Sequence, residues 1–85
     1  MGVEDKRIYR LVEHELHRYQ NIDLEEVRVT VTNGIVYIGG VLRPAVGMHY
    51  INIKEEARII GESMRKVPGM RDLVIDAKLD ESPRK

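Results

Sequence analysis

Residues 29–41, VTVTNGIVYIGGV, constrain the fold of this chain more than any other stretch. Apolar and polar residues alternate up to Asn33-Gly34, and the alternation then resumes. Asn-Gly is the strongest short hairpin signal, because both central residues of a type I′ turn need positive φ. A two-residue turn also sets the register: Thr32 faces Ile35, Val31 faces Val36, Val29 faces Ile38, and Gly40 falls opposite Val27. One sheet face then carries Val27, Val29, Val31, Val36 and Ile38. Gly39 and Gly40 interrupt a run of strand formers, which reads as architecture: a bend, a bulge or a close helix approach.

Ile8, Leu11, Val12, Leu16 and Tyr19 recur three and four apart, so a first helix is expected from a cap at Asp5 to about Gln20. Leu42–Tyr50, LRPAVGMHY, has no period and contains Pro44 and Gly47, which reads as a loop. A second helix is expected from about Asn52 to Lys66, with a stripe of Ile53, Ala57, Ile60 and Met64, stopped by Pro68-Gly69. Leu73, Ile75, Ala77 and Leu79 form a last alternating strand, and residues 80–85, DESPRK, read as a charged, disordered tail. The expectation is one α+β domain over residues 5–79, a two-layer α-β-β-α-β arrangement. Two helices pack on one face of a small three-stranded mixed sheet.

Composition narrows the function classes. Fourteen basic and fourteen acidic residues cancel and are interspersed, which argues against nucleic acid as a partner. There is no cysteine, so neither a disulfide framework nor a thiolate metal site is available. The opening residues, MGVEDKRIYR, are charged and lack an apolar h-region. The longest apolar run, Gly34 to Leu42, falls far short of the ~20 residues a membrane span needs. A soluble, cytoplasmic protein is the expectation.

The hairpin motif Asn33-Gly34-Ile35-Val36-Tyr37-Ile38-Gly39-Gly40-Val41 resembles the central motif of the BON domain family, named for bacterial osmotic-shock and nodulation proteins. Val67-Pro68-Gly69-Met70-Arg71-Asp72-Leu73-Val74 is similar to the family's second signature, a helix ending in a glycine–apolar pair before a short strand. The resemblance runs from about Asp5 to Leu79, with Asn33, Gly34, Gly40 and Gly69 as structural turn positions. The stretch between Gly40 and the second helix is longer than in typical members, so LRPAVGMHY stands outside the carry-over. The resemblance implies a non-enzymatic binding module, with phospholipid membranes as the partner proposed for the family, and it supplies no active site.

The residues themselves give catalysis no foothold. Glu13-His14-Glu15-Leu16-His17 looks like a zincin helix, but its histidines are three apart and Arg18 stands where the second ligand belongs. The hairpin glycines do not lie between a strand and a helix, so they form no phosphate-cradling loop, and no cofactor site is readable.

Two surfaces remain. The outward sheet face should show Arg28, Thr30, Thr32, Ile35, Tyr37, Val41 and Val74. This is either a contact patch centred on Ile35, Tyr37 and Val74 or simply the wet face of an antiparallel sheet. The loop offers Arg43, Val46, Met48, His49 and Tyr50, suited to a lipid headgroup layer or a second subunit, or equally to a lid over the core. Contact with phospholipid or a membrane-associated complex is therefore one expectation. A protein-interaction or self-assembly domain, using the sheet face or a strand edge, is the other.

Overall fold

The computed structural model describes residues 2–48 and 51–82. The chain runs α1 (Val3–Leu16), β1 (Ile22–Asp23), β2 (Val27–Thr32), β3 (Ile35–Pro44), α2 (Ile53–Met64), β4 (Asp72–Ile75) and β5 (Lys78–Leu79). The class is α+β, as expected. Asn33 and Gly34 take φ of 53° and 79°, and the hairpin has the anticipated register, with Val27 opposite Gly40 and Thr32 opposite Ile35. β4 runs parallel to β3, with Tyr37 level with Val74, so β3 carries β2 on one edge and β4 on the other.

Among the described residues the sheet is five-stranded rather than three-stranded, because β1 and β5 also pair with β3, antiparallel and parallel respectively. Two-residue strands are too short to show a period in sequence. The last strand, expected to be continuous, is broken at Asp76 and Ala77. Backbone pairing nevertheless continues, with Asp76 N donating to Ile38 O at 2.8 Å and Asp80 N to Leu42 O at 2.9 Å. Asp80 thus belongs to the sheet's margin and not to a loose tail; residues 83–85 lie outside the described residues.

The stretch from Leu42 is not all loop. β3 continues to Pro44, burying Leu42 and Pro44 on its inner side. Proline is tolerated as the terminal strand residue, where its missing N–H matters least. The next donor, Ala45 N, bonds Asn21 O at 2.8 Å.

Both helices cover the same face. Ile8, Val12 and Leu16 of α1 and Ile53, Ile60 and Met64 of α2 meet Val31, Val36, Ile38 and Leu42 in one buried cluster. α2 begins as expected, with Asn52 Oδ1 accepting from Lys54 N and Glu55 N. α1 does not. Its cap is Gly2, and it ends at Leu16, four residues short of Gln20, in tight turns such as Tyr19 N to Leu16 O at 3.1 Å. Asp5 lies inside the first turn of α1, and its carboxylate accepts from Asn33 N at 3.0 Å and Gly34 N at 2.9 Å. A residue read as a helix cap caps the hairpin instead.

The paired glycines have different reasons. Gly40 has φ +88°, and a Cβ there would lie 1.9 Å from the Glu26 carbonyl oxygen. That carbonyl accepts from Val41 N at 3.0 Å, locking the close approach. Gly39 needs no positive φ, and a Cβ there would meet nothing within 4 Å. Only Gly40 is architectural, which corrects the reading of both as such. Gly40→Ala is expected to lose about 2–4 kcal/mol of unfolding free energy, combining left-handed strain with a backbone clash. Urea denaturation of the variant would check this, and a midpoint equal to that of the parent would refute the packing argument.

Candidate functional site

The strand register builds the outer face directly. Tyr37 lies between Thr30 of β2 and Val74 of β4, and Gly39 lies beside Arg28. Among the described residues nothing covers this face: Tyr37 is 42% exposed and Val74 37%, while Ile35 and Val41 are half-buried between their neighbours. Because Gly39 has no side chain, a shallow depression opens beside Tyr37, walled by Arg28 and Thr30 on one side and Val74 and Asp76 on the other. Asp76 and the gap at Gly39 were not legible as site features from spacing alone, because both depend on how β4 aligns with β3.

The second expected surface is divided. Ala45 to Met48 form a tight turn closed by Met48 N to Ala45 O at 3.0 Å, with Val46 70% and Met48 40% exposed. Arg43 does not join them. Its Nη2 lies 2.9 Å from Glu26 Oε2 and 3.8 Å from Asp80 Oδ2, and its Nε is buried without a hydrogen-bond partner. Such a guanidinium is committed to the sheet's end. His49 and Tyr50 lie outside the described residues.

The turn positions form a junction. Besides the two amides that Asp5 holds, Gly34 O accepts from Arg71 N at 2.8 Å, tying the segment after α2 to the hairpin. Gly69, in the connection between α2 and β4, has φ +84° and sits against the Glu4 carboxylate.

Between the helices, Ser63 Oγ donates to Glu15 Oε2 at 2.9 Å, and Arg18 Nη1 donates to Glu15 Oε1 at 3.1 Å. The cleft beside them, bounded by Leu11, His14 and Lys66, has a volume of about 110 Å³. Ligand pockets are several times larger, roughly 300–1,000 Å³. The Ser63 hydrogen bond is the main influence holding the Glu15 carboxyl below its ordinary value; partial burial opposes it, and Arg18 assists. His17 Nε2 lies 3.4 Å from Glu13 Oε2 along the same helix. Among the described residues no group of three or more histidines or carboxylates is placed to hold a metal, and no helix is long and apolar enough to cross a membrane.

No protein-family model matches the chain, and no curated protein does so either. The site must therefore be read from its own chemistry.

The Glu15–Ser63 bond gives a pH-dependent expectation. A carboxyl with a depressed folded pKa contributes stability that is complete above its unfolded value, near 4.5, and is lost as pH falls through the lower folded value. Ser63→Ala should cost about 1 kcal/mol near neutral pH, a typical net hydrogen bond. The gap between variant and parent should then narrow in acid. Urea midpoints at about pH 7 and about pH 3 test this, and a gap that stays constant would remove Ser63 as the cause of the shift.

Proposed function

We propose that the chain is a non-enzymatic binding module that holds a protein partner on its open sheet face. The carrying observation is the Tyr37–Val74 pair, half-exposed at the centre of an uncovered face and beside the gap at Gly39. Aromatic residues in such positions anchor interfaces, since they bring large area at low entropic cost. Arg28 and Asp76 flank the pair, and neither forms an ion pair among the described residues. The resemblance to BON domains supports the same non-catalytic role.

A second reading, contact with phospholipid, is favoured by one observation, the exposed Val46 and Met48 at the tip of their turn. The commitment of Arg43 to Glu26 and Asp80 weakens it, because no cation on that turn is left to meet an anionic headgroup among the described residues.

A benzophenone side chain placed at position 37 and irradiated in extract of the source cells should yield a protein adduct. Val74→Glu should lower its yield at least ~tenfold, since burying one such apolar side chain contributes about 1.5–3 kcal/mol. An adduct insensitive to Val74→Glu would overturn the sheet-face reading. For the lipid reading, co-sedimentation with phosphatidylglycerol vesicles should fall by a similar factor in Met48→Asp. Absence of co-sedimentation in the parent protein would remove that reading.

A further inference from the structure

We infer that the partner of this face is a second copy of the chain, docked face to face about a two-fold axis that lies between the two sheets and parallel to β3. This rests on the sheet-face reading and adds the identity of the partner. A two-fold axis in that direction places β3 over β3 and the β2 margin of one copy over the β4 margin of the other. Arg28 stands level with Gly39 on β2, and Asp76, which follows the Ile75–Ile38 pair, stands level with Gly39 on the opposite side. The operation therefore sets Arg28 of each copy against Asp76 of the other, two opposite-charge pairs from one self-complementary surface. Within one copy these side chains wall the same depression yet form no ion pair among the described residues.

The same axis brings the two Tyr37 rings together, a position where side chains of ordinary size at residue 39 would crowd them. Sheets pack about 10 Å apart, so two aromatic rings on the axis must lie along their strands rather than point straight at each other. The open space over Gly39 accommodates that tilt. This gives a reason for a glycine that the backbone itself does not require, in a strand where glycine is unfavourable.

The footprint is small. Three strand tracks about 4.8 Å apart and some seven residues at about 3.3 Å give on the order of 300 Å² in plan per copy. Counted over both copies that is below the roughly 1,200 Å² of a standard specific interface, so the association should be weak, transient and reversible.

Sedimentation equilibrium of the full chain up to about 1 mM should show a monomer–dimer equilibrium. Arg28→Asp and Asp76→Arg should each raise Kd at least ~tenfold by setting like charges face to face, and the double variant should return it to within roughly threefold of the parent. Gly39→Val should abolish the dimer while leaving the urea midpoint unchanged or higher, because that position has space and ordinary φ. A parent protein monomeric at about 1 mM, a double variant as weak as the single ones, or a Gly39→Val protein that dimerises normally would each overturn the inference. If the parent is monomeric while the position-37 adduct with another protein still forms and is lost in Val74→Glu, self-docking falls and the sheet-face reading stands.

Discussion

Among the described residues every other strand hydrogen-bonds to β3, so the path of that one strand decides where the rest of the sheet can go. Its inner residues, Val36, Ile38 and Leu42, are almost wholly buried and touch the sheet side of both helices' core. Its outer residues, Ile35, Tyr37, Gly39 and Val41, form the middle of the uncovered face. Side chains on a strand alternate strictly, so the register that buries the first set exposes the second. Buried core and open outer face are two consequences of one constraint.

The hairpin turn at the start of β3 is held from three directions. Its backbone requires the positive φ of Asn33 and Gly34, its amides are taken by Asp5 of α1, and its carbonyl is taken by Arg71 ahead of β4. These bonds replace water at groups a tight turn would otherwise leave exposed, and they link elements far apart in sequence. At the opposite end, Arg43 joins Glu26 and Asp80, fastening both flanks of β3 together. The open face thus lies between two ends tied to neighbouring elements, one by hydrogen bonds and the other by ion pairs.

Most of the fold was legible in sequence where a local rule had one answer. Asn33-Gly34 admits one turn type, and that turn fixes the Val27–Gly40 register; the stripe from Ile53 to Met64 has one period. What could not be read depended on distant partners. Asp5 has the composition of a helix cap, and only the nearness of the hairpin amides makes it something else. Pro44 signals a break, yet β3 reaches it because Ile22 and Asp23 arrive alongside, and two residues carry no period. Ile35, Tyr37 and Val74 follow from alternation, and the register sets them on one side of the sheet. Arg43 was grouped with an exposed loop because its ion-pair partners lie 17 residues before it and near the chain's far end.

The adjacent glycines separate what the fold demands from what it merely permits. At Gly40 the demand is visible: positive φ, and a carbonyl oxygen where a side chain would begin. At Gly39 neither exists, and the strand would gain from almost any β-branched residue. Glycine at such a position exposes backbone and weakens the strand, and among the described residues no close approach requires it. On the self-docking inference the compensation comes from a second copy, because Gly39 faces the open side of the sheet, between Arg28 and the end of β4. Gly39 is thus a position that the self-docking inference explains and the backbone geometry of the fold does not.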